Sequence, residues 1–143
     1  MFGLSKQKLS PEQRTRYYLT LKELNDALGL NYYGSVLLGR KFRILEEHIA
    51  EIQLKKDLGE SVSGMLKRFR KIEGKEIPEG GEIFPFERLI LSLKNNYLTV
   101  LLSENYGFVL YLGKQNLNMG TMLSIICPKI ADFLQYLENN NKE

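Results

Sequence analysis

The sequence predicts an α+β domain: an N-terminal helical segment of about three helices, then a three- or four-stranded antiparallel meander and a C-terminal helix. Three observations lead there. Apolar residues recur at three- and four-residue spacing through residues 1–75, alternate from Phe86 onward, and return to helical spacing after Pro128. Charge changes with the period: residues 1–75 carry 15 Lys/Arg against 9 Asp/Glu, whereas residues 76–143 carry 5 against 8. The connection between the halves, 74–82, contains Gly74, Pro78, Gly80 and Gly81 and is short enough to be a loop, so residues 1–143 read as a single domain.

Ser10-Pro11-Glu12-Gln13 is a helix start. The serine can cap free N–H groups, the proline suits the first helical position and Gln13 can reach back as in a capping box. Tyr17, Leu21, Leu24 and Leu28 then fall on one face, and Gly29 is a natural stop. Leu38, Phe42, Leu45, Ile49 and Ile52, spaced four, three, four and three, predict a second helix from about Ser35 to Leu58. The bland reading of that stripe is a core-facing face; the sharper one is a homodimer seam through the same five residues. A third helix is expected over Glu60–Ile72, with Val62, Met65, Leu66, Phe69 and Ile72 on one side and Lys67, Arg68, Arg70 and Lys71 on the other.

Leu89, Leu91 and Leu93 alternate with Ile90, Ser92 and Lys94, so a strand is expected there. Asn95-Asn96 supplies a turn, Tyr97–Ser103 a return strand, residues 104–107 a second turn and Phe108–Gly113 a third strand. Met122–Ile126 is a candidate fourth. Ile130, Phe133, Leu134 and Leu137 then define an amphipathic C-terminal helix.

Chemistry is sparse. There is one histidine, His48, and one cysteine, Cys127, whereas zinc and iron sites usually take three or four protein ligands and a thiol nucleophile wants a base. Glycines 74, 80 and 81 lack the strand and the Lys-Ser/Thr of a phosphate loop. No catalytic residue, cofactor or metal is assigned. No apolar run reaches the eighteen or so residues of a membrane span, and one cysteine cannot form an internal disulfide, so a cytoplasmic protein is expected.

Two binding functions remain. The first is a small non-enzymatic protein-binding module of adaptor, inhibitor, immunity-protein or secretion-chaperone type. Tyr32, Tyr33 and Tyr106 are its candidate contact residues, because tyrosine is enriched at interfaces. The alternative is nucleic-acid binding by a basic helical surface. Residues 21–43 have a helix-turn-helix rhythm, and Arg40, Lys41, Arg43, Lys67, Arg68, Arg70 and Lys71 would form one anion-binding patch if the second and third helices pack antiparallel. Glu46, Glu47 and Glu51 interrupt that patch, and the bland reading is a solvated face.

Overall fold

The computed structural model describes residues 7–50, 62–68, 87–92, 94, 96–115 and 117–140. The chain begins with helix α1, Pro11–Leu28, as expected from its cap: Ser10 Oγ accepts from Gln13 N at 3.1 Å and Gln13 Oε1 accepts from Ser10 N at 2.9 Å. These reciprocal bonds satisfy donors that the first helical turn leaves free. Gly29 ends the helix at φ 59, a conformation that favours glycine.

The expected second helix, of which 51–58 lies outside the described residues, does not form over 35–50. Its place is taken by strand β1, Tyr32–Leu38, a tight turn through Arg40–Phe42, and strand β2, Ile44–Ile49. The helix-turn-helix reading of residues 21–43 falls with it, because α1 runs into a short 3-10 turn and then a strand. Two physical causes hid the strands. β1 is buried on both faces, so its apolar residues run on instead of alternating. A register shift between Leu37 and Leu38 also opposes Leu38 to Ile44 and Leu37 to Glu46, leaving Leu45 as the extra residue. That bulge turns a two-residue period into apparent three- and four-residue spacing.

Residues 62–68 are helical, within the expected third helix, and form α2. The Gly/Pro-rich connection at 74–82 lies outside the described residues. Strands β3 (Glu87–Ser92), β4 (Asn96–Leu102) and β5 (Gly107–Gly113) follow as the alternation foretold. Met122–Ile126 is a π-helical turn after the short turn α3, Met119–Thr121, and not a fourth strand. It leads into α4, Cys127–Asn139, with proline at its start.

Among the described residues the sheet has five strands in the order β2-β1-β5-β4-β3, every pair antiparallel. Both halves of the chain therefore build one sheet, and the helices flank it. Alternation on β5 shows the two faces. Phe108, Leu110 and Leu112 point to α1 and α4, whereas Val109 and Tyr111 point to α2. Tyr17, Phe108 and Phe133 make an aromatic triangle on the α1/α4 side, with centroids 5.9–6.1 Å apart. Pairs at this separation add to the area they bury, by roughly 0.5–1.5 kcal/mol. On the α2 side Val62 and Leu66 cover Val36, Leu38, Leu98, Val100 and Val109.

Leu38 is fully buried, Leu45 packs against the α1/α4-side core, Phe42 packs against the α2-side core, and Ile49 is half-buried. They do not form a common seam, so the helical homodimer reading of this set is corrected; Ile52 lies outside the described residues. Among the described residues no helix is long and apolar enough to cross a membrane.

Candidate interaction surfaces

The basic residues of the sequence are brought together by a turn and a helix, not by two antiparallel helices. Arg40, Lys41 and Arg43 lie on the β1–β2 turn and Lys67 on α2, all four exposed, around a cleft of about 650 Å³. Phe42 and Ile44 also line the cleft, and both pack against the α2-side core. Arg68 is exposed on α2; Arg70 and Lys71 lie outside the described residues.

The turn that presents these cations is strained and clamped. Lys41 and Phe42 both have positive φ, 58° and 59°. For residues with a Cβ, each such conformation costs on the order of 1–3 kcal/mol and persists only where its surroundings impose it. Ser63 Oγ of α2 donates to the Phe42 carbonyl at 2.5 Å. On the other side Arg40 N donates to Gln7 Oε1 at 2.6 Å. Gly39 N donates to Arg43 O at 2.7 Å and closes the turn.

A second polar group runs inward from the opposite face of β2. Tyr17 Oη and Ser35 Oγ share a hydrogen bond of 2.9 Å, Tyr32 Oη lies 3.3 Å from the same Ser35 Oγ, and Tyr32 Oη meets His48 Nδ1 at 2.8 Å. Burial pushes the Tyr17 hydroxyl well above its ordinary value and Tyr32 up to about 12, with Ser35's hydrogen bond acting the other way in both. His48 is thus an exposed residue of β2 whose ring is tied to Tyr32. A smaller hollow of about 310 Å³ lies beside it, between Tyr18, Lys22 and Asn25 of α1 and His48.

Of the three tyrosines expected at an interface, Tyr32 and Tyr106 are 5% and 4% exposed. They are core residues, a correction to the sequence reading. Tyr33 is half-buried and packs against the α2-side core. The sequence did not distinguish buried tyrosines because a hydroxyl with a partner, such as Ser35, is compatible with a core. Cys127 is also buried, and burial pushes its thiol up while Arg88 acts in the opposite direction. A raised thiol pKa lowers the thiolate fraction needed for nucleophilic attack. No group of three or more His, Cys, Asp or Glu side chains among the described residues is placed to hold a metal ion.

The two sheet edges differ in character. β2 carries Glu46, Glu47 and His48, and Glu46 Oε2 accepts from Arg14 Nε of α1 at 2.8 Å. β3 is Glu-Arg-Leu-Ile-Leu-Ser, with Leu89, Ile90 and Leu91 only partly buried. It pairs with β4 alone among the described residues. An apolar edge strand whose outer N–H and C=O groups lack strand partners is a template for further pairing.

The fold resembles those of solved MglB proteins and of a Roadblock/LC7 domain. A structure described as MglB with a tetrameric arrangement superposes with a TM-score of 0.67 and 16% identity, over 92% of this chain and 95% of that one. The gliding protein MglB of Thermus thermophilus gives 0.66 and 17%, over 93% and 96%. Myxococcus xanthus MglB gives 0.69 and 12%, over 96% and 98%. A Roadblock/LC7 domain from Streptomyces avermitilis gives 0.52 and 9%, over 90% and 99%. At these identities the likeness is one of fold. No protein-family model matches the sequence, and no curated protein matches it.

Proposed function

We propose that this chain is a non-catalytic protein-binding module that assembles with a copy of itself through the β3 edge. The observation that carries the reading is the contrast between the two edges. β2 is charged and tied to α1, whereas β3 presents Leu89, Ile90 and Leu91 without a second strand partner among the described residues. Pairing two antiparallel edges satisfies backbone groups on both chains and covers apolar side chains on both faces at once. The tetrameric arrangement described for one MglB of this fold supports self-assembly as a mode available to this architecture. The buried free thiol of Cys127 suits a cytoplasmic setting.

The test is the solution mass of the chain and of Leu91→Glu, measured by light scattering across a range of concentrations. The 16.6 kDa chain should show a concentration-dependent mass above that of one copy, and the edge variant should remain monomeric with unchanged circular dichroism. A monomeric parent at high micromolar concentration would remove the self-assembly reading.

A further inference from the structure

The cleft beside the β1–β2 turn is a second surface, and it has the chemistry of a binding site. Arg40, Lys41, Arg43 and Lys67 converge on it, all exposed. The described ion pairs are Arg14–Glu46 and Lys129–Glu23, so none of these four cations is matched by a carboxylate among the described residues. Like charges gathered around a concavity repel one another and concentrate potential inside it. A turn held with two successive positive-φ side-chain residues, and clamped by Ser63 and Gln7, keeps them there.

We propose that this cleft docks an acidic peptide segment of a protein partner, one in which carboxylates alternate with apolar side chains. The rim supplies cations for the carboxylates. The floor of Phe42 and Ile44 supplies apolar contact, and at Gly64 a side chain would meet nothing within 4 Å among the described residues, which leaves the wall open there. Nucleic acid fits less well. Its backbone needs cations along a track, yet β2 continues from the cleft into Glu46 and Glu47. The inference deepens the protein-binding reading but does not depend on self-assembly. The cleft lies by β1 and β2, and β3 is the opposite edge of the sheet.

The experiment is fluorescence polarisation of the full chain against octapeptides alternating Asp or Glu with Leu or Phe, and against a random single-stranded oligodeoxynucleotide. Salt is set at about 50 and about 200 mM, across which surface electrostatics are increasingly screened. A subset of peptides should bind, and bind more weakly at the higher salt. Lys41→Glu with Arg43→Glu should weaken binding about tenfold or more, whereas Lys22→Glu with Lys94→Glu, an equal change of net charge elsewhere, should leave it unchanged. Gly64→Met, which obstructs the cleft without altering charge, should also weaken it. Melting temperature and solution mass, measured on every variant, separate loss of docking from loss of fold and from loss of self-assembly. Three results would overturn the proposal: no peptide binds, the two charge-reversal pairs act alike, or the oligonucleotide outcompetes every peptide.

Discussion

Alkaline pH should destabilise this fold steeply, because its core holds tyrosines as protonated hydroxyls. Tyr17, Tyr32 and Tyr111 are 0%, 5% and 4% exposed, and burial raises all three, Tyr32 to about 12 and the others further. In the unfolded chain each ionises near pH 10. The folded state therefore keeps protons that the unfolded state releases. The stabilisation is fully present below pH 10 and is lost as pH rises from there towards the folded values. One group loses about 1.4 kcal/mol per pH unit in that window, so three together remove about 4 kcal/mol between about pH 9 and about pH 11. That is a large share of a typical total of roughly 5–15 kcal/mol. Tyr106 is raised as well and adds to the slope.

The assay is urea unfolding by circular dichroism at a series of pH values, with tyrosinate absorbance of the folded protein followed in parallel. Of the eight tyrosines, the buried ones should stay silent in the absorbance until the protein unfolds. Tyr17→Phe should make the pH dependence shallower by one proton. At neutral pH it should cost about 1 kcal/mol, since Ser35 Oγ loses the 2.9 Å partner and keeps only the 3.3 Å one. Stability that is level between about pH 9 and about pH 11 would refute the reasoning, as would early ionisation of all eight tyrosines in the folded state.

Three further outcomes test the local geometry. Glu138 of α4 accepts from Ser103 Oγ, Asn105 N and Asn105 Nδ2 at 2.5, 2.7 and 2.9 Å, so Glu138→Ala should cost about 2 kcal/mol in urea unfolding and speed amide exchange in the β4–β5 turn. A Cβ at Gly39 would sit 2.2 Å from Gln7 Oε1; Gly39→Ala should break the Gln7–Arg40 bond at about 1 kcal/mol, and adding Gln7→Ala should cost little more. Gly64→Ala meets no neighbour within 4 Å among the described residues and lies within α2, so it should raise stability by about 0.8 kcal/mol, read as a higher melting temperature.

What the sequence disclosed depended on how local the signal was. The α1 cap is written in four consecutive residues, and the β3–β5 alternation survives because few bulges interrupt it. β1 and β2 were illegible for the opposite reason. Gly34 reads as a weakness in a helix, but here a Cβ at that position would lie 2.9 Å from the His48 carbonyl, so the glycine permits the close approach of β2. The basic set was visible as composition, and part of it does meet, yet the β1–β2 turn finds its partner in α2, well beyond the next strand in sequence. The terminal position of β3 in the described sheet had no signature, since an edge strand and an inner strand with the same alternation look alike until strand order is known.

The distribution of strain bears on where this protein binds. The α1/α4 side carries the aromatic triangle, the satisfied Tyr17–Ser35–Tyr32 hydroxyls and the Arg16 guanidinium 4.6 Å over the Tyr136 ring. Its local preferences agree with its packing. The α2 side carries the positive-φ pair, the cations without a described carboxylate partner, and Tyr111 Oη, which is buried with no hydrogen-bond partner among the described residues. An orphaned hydroxyl of that kind costs about 1–3 kcal/mol. Departures from local consistency of this sort collect at sites kept for function, with the stability lost there offset elsewhere in the fold. Stabilising substitutions should therefore be easiest to find around the β1–β2 turn and α2, and those that relax the turn or neutralise its cations should be the ones that reduce binding.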